Sequence, residues 1–508
     1  MLGFGSRIFA TFGSPVAQIA RARHLSDQDA TRAAFRLLIK AAKAGEPAAW
    51  YQVGRAYLVG QGVPASLSAA LRWLTRAAEV EEVDAQALLA SLALQGKCDT
   101  ANINIFEANS TVGDQPPNYP VALHWAERAA ANGSAEAQAI LGYILTNGPA
   151  ELRDRARGEL CHRYSAEAGC ARGQLGWALV LLLRNTLDAT RHARELLEKA
   201  ATANLFTAHY VLGLIAESGA AGIQDFTAAA EYYRIAAELE HRPAQLRYGI
   251  ALLTGRGVKL DAFKGESWLR RAALAGEPIA AAMVGDIYAH NGDLPPNYAE
   301  AVIWLRRAAE AGHAGAAKML GHLLLEGAGL APDPEEAARW LRLAIAGGET
   351  EARNDLARLA LAGRVPEADR RTTFGWFQER AKAGDLTAAF NLGLCLAEGI
   401  GAPRDSTEAL VWFERAAVTV PVAQYWCGRL RAEGRGCSPD EQAARVWFLR
   451  AAELRNADAE VAAGEMLFNG RGGPPDKEFA IGLFKLAAST GHPGALFALK
   501  VLSETLLH

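Results

Sequence analysis

The chain has 508 residues, half of them hydrophobic, a formal net charge of −3 and a pI near 6.4. Binding along a phosphate backbone needs concentrated basic surface, so this balance excludes nucleic acid as the expected partner. No run reaches the roughly eighteen apolar residues of a bilayer-spanning helix, so no transmembrane segment is expected.

Residues 1–25 form an apolar and basic extension. Arg7, Arg21 and Arg23 are present with no acid before Asp27, and Leu2, Phe4, Ile8, Phe9, Phe12, Val16 and Ile19 fall partly at helical spacing. Three readings compete: a segment packed on the first cap or holding a partner, a membrane-surface amphipathic helix, or a cleaved secretion signal. Gly13, Ser14 and Pro15 interrupt both a helix and a hydrophobic region. Ser26 followed by Asp27 is placed to N-cap a helix running through Ala42 and Lys43, a lone second helix covering the first full unit.

From there to about residue 502 the chain repeats. Trp268, Trp304, Trp340, Trp376, Trp412 and Trp447 stand 36, 36, 36, 36 and 35 residues apart. A second ladder runs through Gly54, Gly142, Gly176, Gly213, Gly249, Gly285, Gly321, Gly393, Gly428 and Gly464, with Ala90 and Ala357 in register where glycine is missing. A fixed period in this range marks a helical array rather than a single-core enzyme. In each unit apolar residues return every three or four positions in two stretches, which predicts two amphipathic helices. Glycine in mid-helix costs about 1 kcal/mol, so one per unit implies close backbone approach. The Trp is expected to fill the groove between adjacent hairpins. Between the helices lie Gly-x-Gly triplets such as Gly60/Gly62, Gly255/Gly257 and Gly399/Gly401. They close helices instead of following strands, which excludes a dinucleotide fingerprint.

This pattern, seen cleanly in Val53-Gly54-x-x-Tyr57-x-x-Gly60-x-Gly62-Val63 with Trp73 and Ala77-Ala78, resembles the Sel1-like repeat. The resemblance covers about residues 28 to 500. It implies an all-α fold: a right-handed α/α superhelical solenoid of about twelve helix-turn-helix repeats, related to tetratricopeptide repeats and closed by helical caps. The solenoid is expected over 26–502, with 503–508 a tail and Pro493 to Leu502 a lone first helix at the far end. Ala90 to Gly142 spans 52 residues, and the excess is a polar insertion at 97–114 holding one apolar pair, Ile105 and Phe106. It is either a tolerated loop or part of a functional face. Between Gly142 and Gly213 the Gly-x-Gly loops are lost and the Trp position becomes Tyr164, then roughly Leu197.

The resemblance implies that first helices line a concave face. Positions two before and one after the ladder glycine share a side of that helix. From Leu88 to Ile250 this track is mostly apolar, and Ile140, Tyr143, Trp177, Val211 and Leu214 are the candidate partner-binding groove; the competing reading is that curvature buries them as core. Farther on, Trp426 beside Arg429 has the composition of an interface anchor, or of a helix face laced with its own ion pairs.

No catalytic, cofactor or metal residues are expected. The eleven histidines are scattered singly, and no nucleophile elbow, zincin helix or P-loop occurs. The six cysteines (Cys98, Cys161, Cys170, Cys395, Cys427, Cys437) fall at unrelated spacings and read as reduced, which points to a reducing compartment. The expected function is a non-enzymatic scaffold or adaptor holding proteins or peptides on its concave surface. In the bacterial setting that the composition suggests, it is expected as an accessory subunit of an envelope, exopolysaccharide-synthesis or secretion complex. The expected place is the cytoplasm, at the inner membrane surface if the 1–25 extension touches lipid, with the periplasm as alternative. The alternative function is a carbohydrate-binding or enzyme-inhibitor module using exposed aromatics.

Overall fold

The structure, a computed structural model, describes residues 14–27, 30–97, 116–290, 296–327 and 331–505. Among these the chain forms 27 α-helices, one 3-10 turn and no strand: an all-α solenoid of tandem helix hairpins. It divides into two compact units, Met1–Ala275 and Gly276–His508.

In the first unit the hairpin Arg242–Thr254 with Ala262–Leu274 shows how the sequence dictates the shape. Its first helix ends at Gly255, which takes the left-handed conformation (φ 67°) that a side chain disfavours, and whose N–H donates to the Ala251 carbonyl. Two residues on, a Cβ on Gly257 would collide with the Phe226 carbonyl oxygen of the preceding hairpin. The first glycine of the triplet therefore ends a helix, and the second admits a neighbour's backbone. The second helix starts at Asp261, whose carboxylate accepts from the Lys264 N–H at 3.0 Å. Ser66, Asn118, Asp154, Thr186 and Asp225 cap five other second helices of this unit in the same way.

In both units the ladder glycine receives a side chain twenty residues later. A Cβ on Gly249 would fall 2.9 Å from Leu269, one on Gly285 2.6 Å from Leu305, and one on Gly393 2.8 Å from Phe413. Leu74, Leu269, Leu305, Leu341 and Phe413 are fully buried in this slot. Each directly follows a ladder Trp, so the slot inside the hairpin goes to the residue after the Trp, while Trp268 packs against the cluster of Ala236, Ala237 and Ala244, between its own hairpin and the preceding one. Successive helix residues point about 100° apart, so only one of the pair can face inward. Trp304 and Trp340 are also buried, but Trp268, Trp412 and Trp447 are half-buried. The guanidinium three residues on lies over these rings: Arg271 at 4.4 Å from Trp268, Arg415 at 5.4 Å from Trp412 and Arg450 at 5.2 Å from Trp447.

A third row was not read from the sequence. Four residues before the ladder position, a side-chain N–H reaches back to a carbonyl at the end of the preceding second helix. Trp50 Nε1 donates to Ala42 at 2.8 Å, Gln86 Nε2 to Ala78 at 2.9 Å and Gln245 Nε2 to Ala237 at 3.3 Å. In the second unit Gln424 Nε2 donates to Ala417 at 2.8 Å. At Ala42, Ala78 and Ala237 the side chain adds a second donor to a helix-end carbonyl that also accepts a turn N–H. Glu460 holds the same register, with no N–H to give.

At the start, Ser26 and Asp27 lie in the last turn of a separate helix, Pro15–Asp27, and the next helix begins at Thr31. The single capped helix expected through Lys43 is thus two helices, and Ala30 precedes the second without a side-chain cap bond. Ile19 and Ala22 of the first are buried with Ala34 and Leu38 of the second. At the far end the lone helix spans Pro493–Thr505 and buries Ala495. Phe106 and the apolar pair it belongs to lie outside the described residues, as do residues 1–13.

Candidate partner-binding groove

Within the first unit, the irregular stretch from Gly142 to Gly213 holds a groove of about 680 Å³. One wall is Ala135–Asn147, whose N-terminus Ser134 caps through a bond from the Ala137 N–H; it contributes Ala139, Ile140, Tyr143, Thr146 and Asn147. The facing wall is Ala171–Leu182 with the next residue, contributing Arg172, Leu175, Gly176, Leu179, Val180 and Leu183. Between them Arg155–Glu167, capped by Asp154, supplies Arg155, Glu159 and His162. Ser91, Leu94, Leu205 and Thr207 close the ends.

The floor is apolar and the walls keep apolar side chains in solvent: Tyr143 is 47% exposed, Leu179 41% and Leu183 70%, whereas Ile140 and Val180 are buried. Arg155 pairs with Glu159 on its own helix at 3.2 Å, and Arg172 pairs with Glu136. Such exposed pairs contribute little to stability and exchange partners readily.

His162 departs from its counterparts. It occupies the slot twenty residues after a ladder glycine, where other hairpins hold leucine, phenylalanine or, once, Tyr233. Its ring is wedged between two glycines. A Cβ on Gly142 would sit 2.8 Å from Nδ1, and one on Gly176 would overlap it. The residue is 5% exposed, and burial pushes its imidazole down to about 4, so it is neutral at physiological pH. Nδ1 is sealed without a hydrogen-bond partner. Tyr233, the other polar occupant of the slot, donates its hydroxyl to Glu217 at 2.5 Å. Sequence reasoning missed His162 by treating histidines singly; aligning the position twenty after each ladder glycine exposes it among apolar residues.

The groove takes in two of the five residues expected for it, Ile140 and Tyr143. Ile140 forms floor rather than exposed surface. Val211 is buried with Leu197 and Leu212 and presents no surface, which corrects the expectation of a continuous exposed track. At Gly142 the position two before the glycine, Ile140, is buried and the position after it, Tyr143, is exposed. Trp177 is half-buried against the same cluster, with Arg184 over its ring at 5.2 Å, and Leu214 is half-buried; neither lines the groove.

In the second unit, Trp426 stacks on Phe413 (5.4 Å, 19° between ring planes) under Arg429 at 4.8 Å. Arg429 pairs with Glu433 at 2.9 Å, Arg435 with Glu433 and Glu398, and Arg431 with Glu414. This corrects the picture of an exposed anchor: the Trp is half-buried, and its charged neighbours are paired within the chain.

Among the described residues no three His, Cys, Asp or Glu side chains stand close enough to share a metal ion, and no helix is long and apolar enough to cross a membrane. Cys161, Cys170, Cys395, Cys427 and Cys437 are free thiols, and burial pushes Cys395 and Cys427 up to about 12.

A family model described as Sel1 repeat matches residues 26–46, 47–80, 109–134, 135–170, 188–205, 207–241, 242–277, 278–313, 314–349, 386–417, 421–456 and 457–492. The chain is 28% identical over 240 residues to the uncharacterized protein NMB1327 of Neisseria meningitidis serogroup B, covering 44% of this chain and 50% of that protein. It thus spans about half the length of this curated relative. Among solved structures, c5321, a protective antigen present in uropathogenic Escherichia coli strains displaying an SLR fold, is 24% identical with a TM-score of 0.47, covering 93% of this chain and 91% of that one. A Sel1 repeat protein from Oxalobacter formigenes is 26% identical with a TM-score of 0.34, covering 71% and 93%.

Proposed function

The chain belongs to the Sel1 repeat family, whose members generally mediate protein–protein interactions, and from that premise we propose that it is a non-enzymatic adaptor holding an apolar segment of a partner protein in the groove over Ile140, Tyr143, Leu179 and Leu183. The observation that carries this reading is the exposure of Tyr143, Leu179 and Leu183 around one concave space. The curated relative is a bacterial protein, and the setting we infer is an accessory subunit of an envelope, exopolysaccharide-synthesis or secretion complex. The half-buried ladder tryptophans are poor candidates for stacking on sugars, because arginines lie over their rings.

The test is stoichiometric capture by the wild-type chain and by Leu179→Glu and Leu183→Glu. Both leucines are exposed, so the variants should melt as wild type does. Loss of a partner held by wild type supports the groove. Equal retention by all three chains sinks it.

A further inference from the structure

A buried polar group in a folded protein ordinarily has a hydrogen-bond partner, and one left without it needs an explanation. Among the described residues His162 makes no hydrogen bond although it is 5% exposed, and it lines the groove. Leucine in the same slot of neighbouring hairpins packs without any such deficit. Of the two ring nitrogens Nδ1 is the sealed one, so Nε2 is the nitrogen left to face the groove. An unsatisfied lone pair at Nδ1 is tolerated better than an unsatisfied N–H, which places the proton of the neutral ring on Nε2 as a donor.

The charges around this donor select its acceptor. The ionisable groups facing the space are Arg155 and Glu159 from His162's own helix, Arg172 from one wall and Tyr143 from the other. Two guanidinium groups edge the space, Arg155 paired with Glu159 and Arg172 with Glu136. The groove therefore presents apolar walls, one inward N–H donor and two edge arginines whose exposed ion pairs can be exchanged for an incoming carboxylate. Both walls run nine residues, from Ala139 to Asn147 and from Leu175 to Leu183, or about 12 Å of helix. That length suits two helical turns of a bound segment.

We propose that the occupant is a segment of a partner protein whose apolar side chains flank a single Asp or Glu, and that His162 Nε2 binds this carboxylate. The inference rests on the adaptor reading and adds the chemistry of the partner. It also makes binding pH-dependent. A carboxylate beside the imidazole favours its charged form, so binding takes up a proton and tightens as pH falls from about 8 to about 5.5.

Panning a random dodecapeptide library on the immobilised full chain tests both levels. The expected result is enriched peptides with apolar residues around one acid, lost on Leu183→Glu. His162→Leu installs the residue that related slots hold, so it should fold, and it should weaken the enriched peptide at least tenfold at about pH 5.5 while removing the pH dependence. In wild type the His162 proton resonances should titrate at higher pH with the peptide bound, a shift that a merely structural histidine would not show. Enriched peptides without an acid, or retained equally by His162→Leu, overturn the assignment of His162 and leave the adaptor standing. Enrichment of nothing, or binding indifferent to Leu183→Glu, overturns the adaptor reading and this inference with it.

Discussion

Glu460→Gln should stabilise the second unit. Glu460 is 1% exposed and sits where Gln86, Gln245 and Gln424 donate to a helix-end carbonyl, but a carboxylate has nothing to donate. Its Oε1 has no hydrogen-bond partner; the half-exposed Arg455 stands 3.7 Å away as an ion-pair partner, beyond hydrogen-bond distance. The local backbone matches that at Gln86: Arg455 and Glu81 both have φ 64° in the connecting turn. A glutamine at 460 should therefore reach the Ala452 carbonyl as Gln86 reaches Ala78. Leaving a buried polar group unsatisfied costs about 1–3 kcal/mol and a neutral hydrogen bond contributes about 1 kcal/mol, so the gain near pH 8 should be about 2 kcal/mol.

The pH dependence arises from burial, which raises the Glu460 carboxyl above its ordinary 4.5. Below about pH 4.5 the acid is protonated in both folded and unfolded chains and carries no penalty. As pH rises above that value the unfolded state ionises first, and wild-type stability falls until the folded carboxyl has also ionised. A protonated carboxyl can itself donate, so the advantage of glutamine should nearly vanish at about pH 4 and be complete by about pH 8. Amide hydrogen exchange across Ala457–Asn469 measures this locally: a gain of about 2 kcal/mol slows exchange about 30-fold. Equal exchange at about pH 8, or a gain independent of pH, would falsify the reasoning.

Gly285→Ala should destabilise the second unit by about 1–2 kcal/mol in urea unfolding. The new Cβ would meet Leu305 Cγ at 2.6 Å and its backbone nitrogen at 3.1 Å, and overpacking of about 1–3 kcal/mol outweighs a propensity gain of about 1 kcal/mol. Gly482→Ala, whose Cβ would meet nothing within 4 Å, should instead stabilise by about 0.5–1 kcal/mol in the same assay. Glu240→Gly should stabilise the first unit by about 1 kcal/mol, because Glu240 holds φ 63°, which costs an L-residue about that much; thermal melting reads it. Glu81→Gly should not, since Glu81 also bonds Gln86 and Asn132 and pairs with Arg128; a matching rise in Tm would count against this account.

The sequence showed clearly that a helical hairpin repeats, because the repeat's requirements are local. Small residues recur where backbones meet, Gly-x-Gly recurs where a helix must end, and apolar residues return every three or four positions. The candidate site was only half legible. Tyr143 and Ile140 could be picked out as members of an apolar track, but Val211, buried like Ile140 and at the same register, does not line the groove. The Gln row and the role of His162 depend on pairs separated by a hairpin, and they appear only when one unit is laid over another.

By itself, then, the sequence determined the period, the hairpin and its family, since each is set by spacing along one helix or across one turn. Only the tertiary structure decided which residue of each Trp–Leu or Trp–Phe pair faces inward, and that the irregular units open a groove. It also decided that His162 Nδ1 is sealed without a hydrogen-bond partner among the described residues. The reason is geometric: a step of about 100° per residue fixes which positions share a face, but the neighbouring hairpin decides whether that face meets packed side chains or solvent.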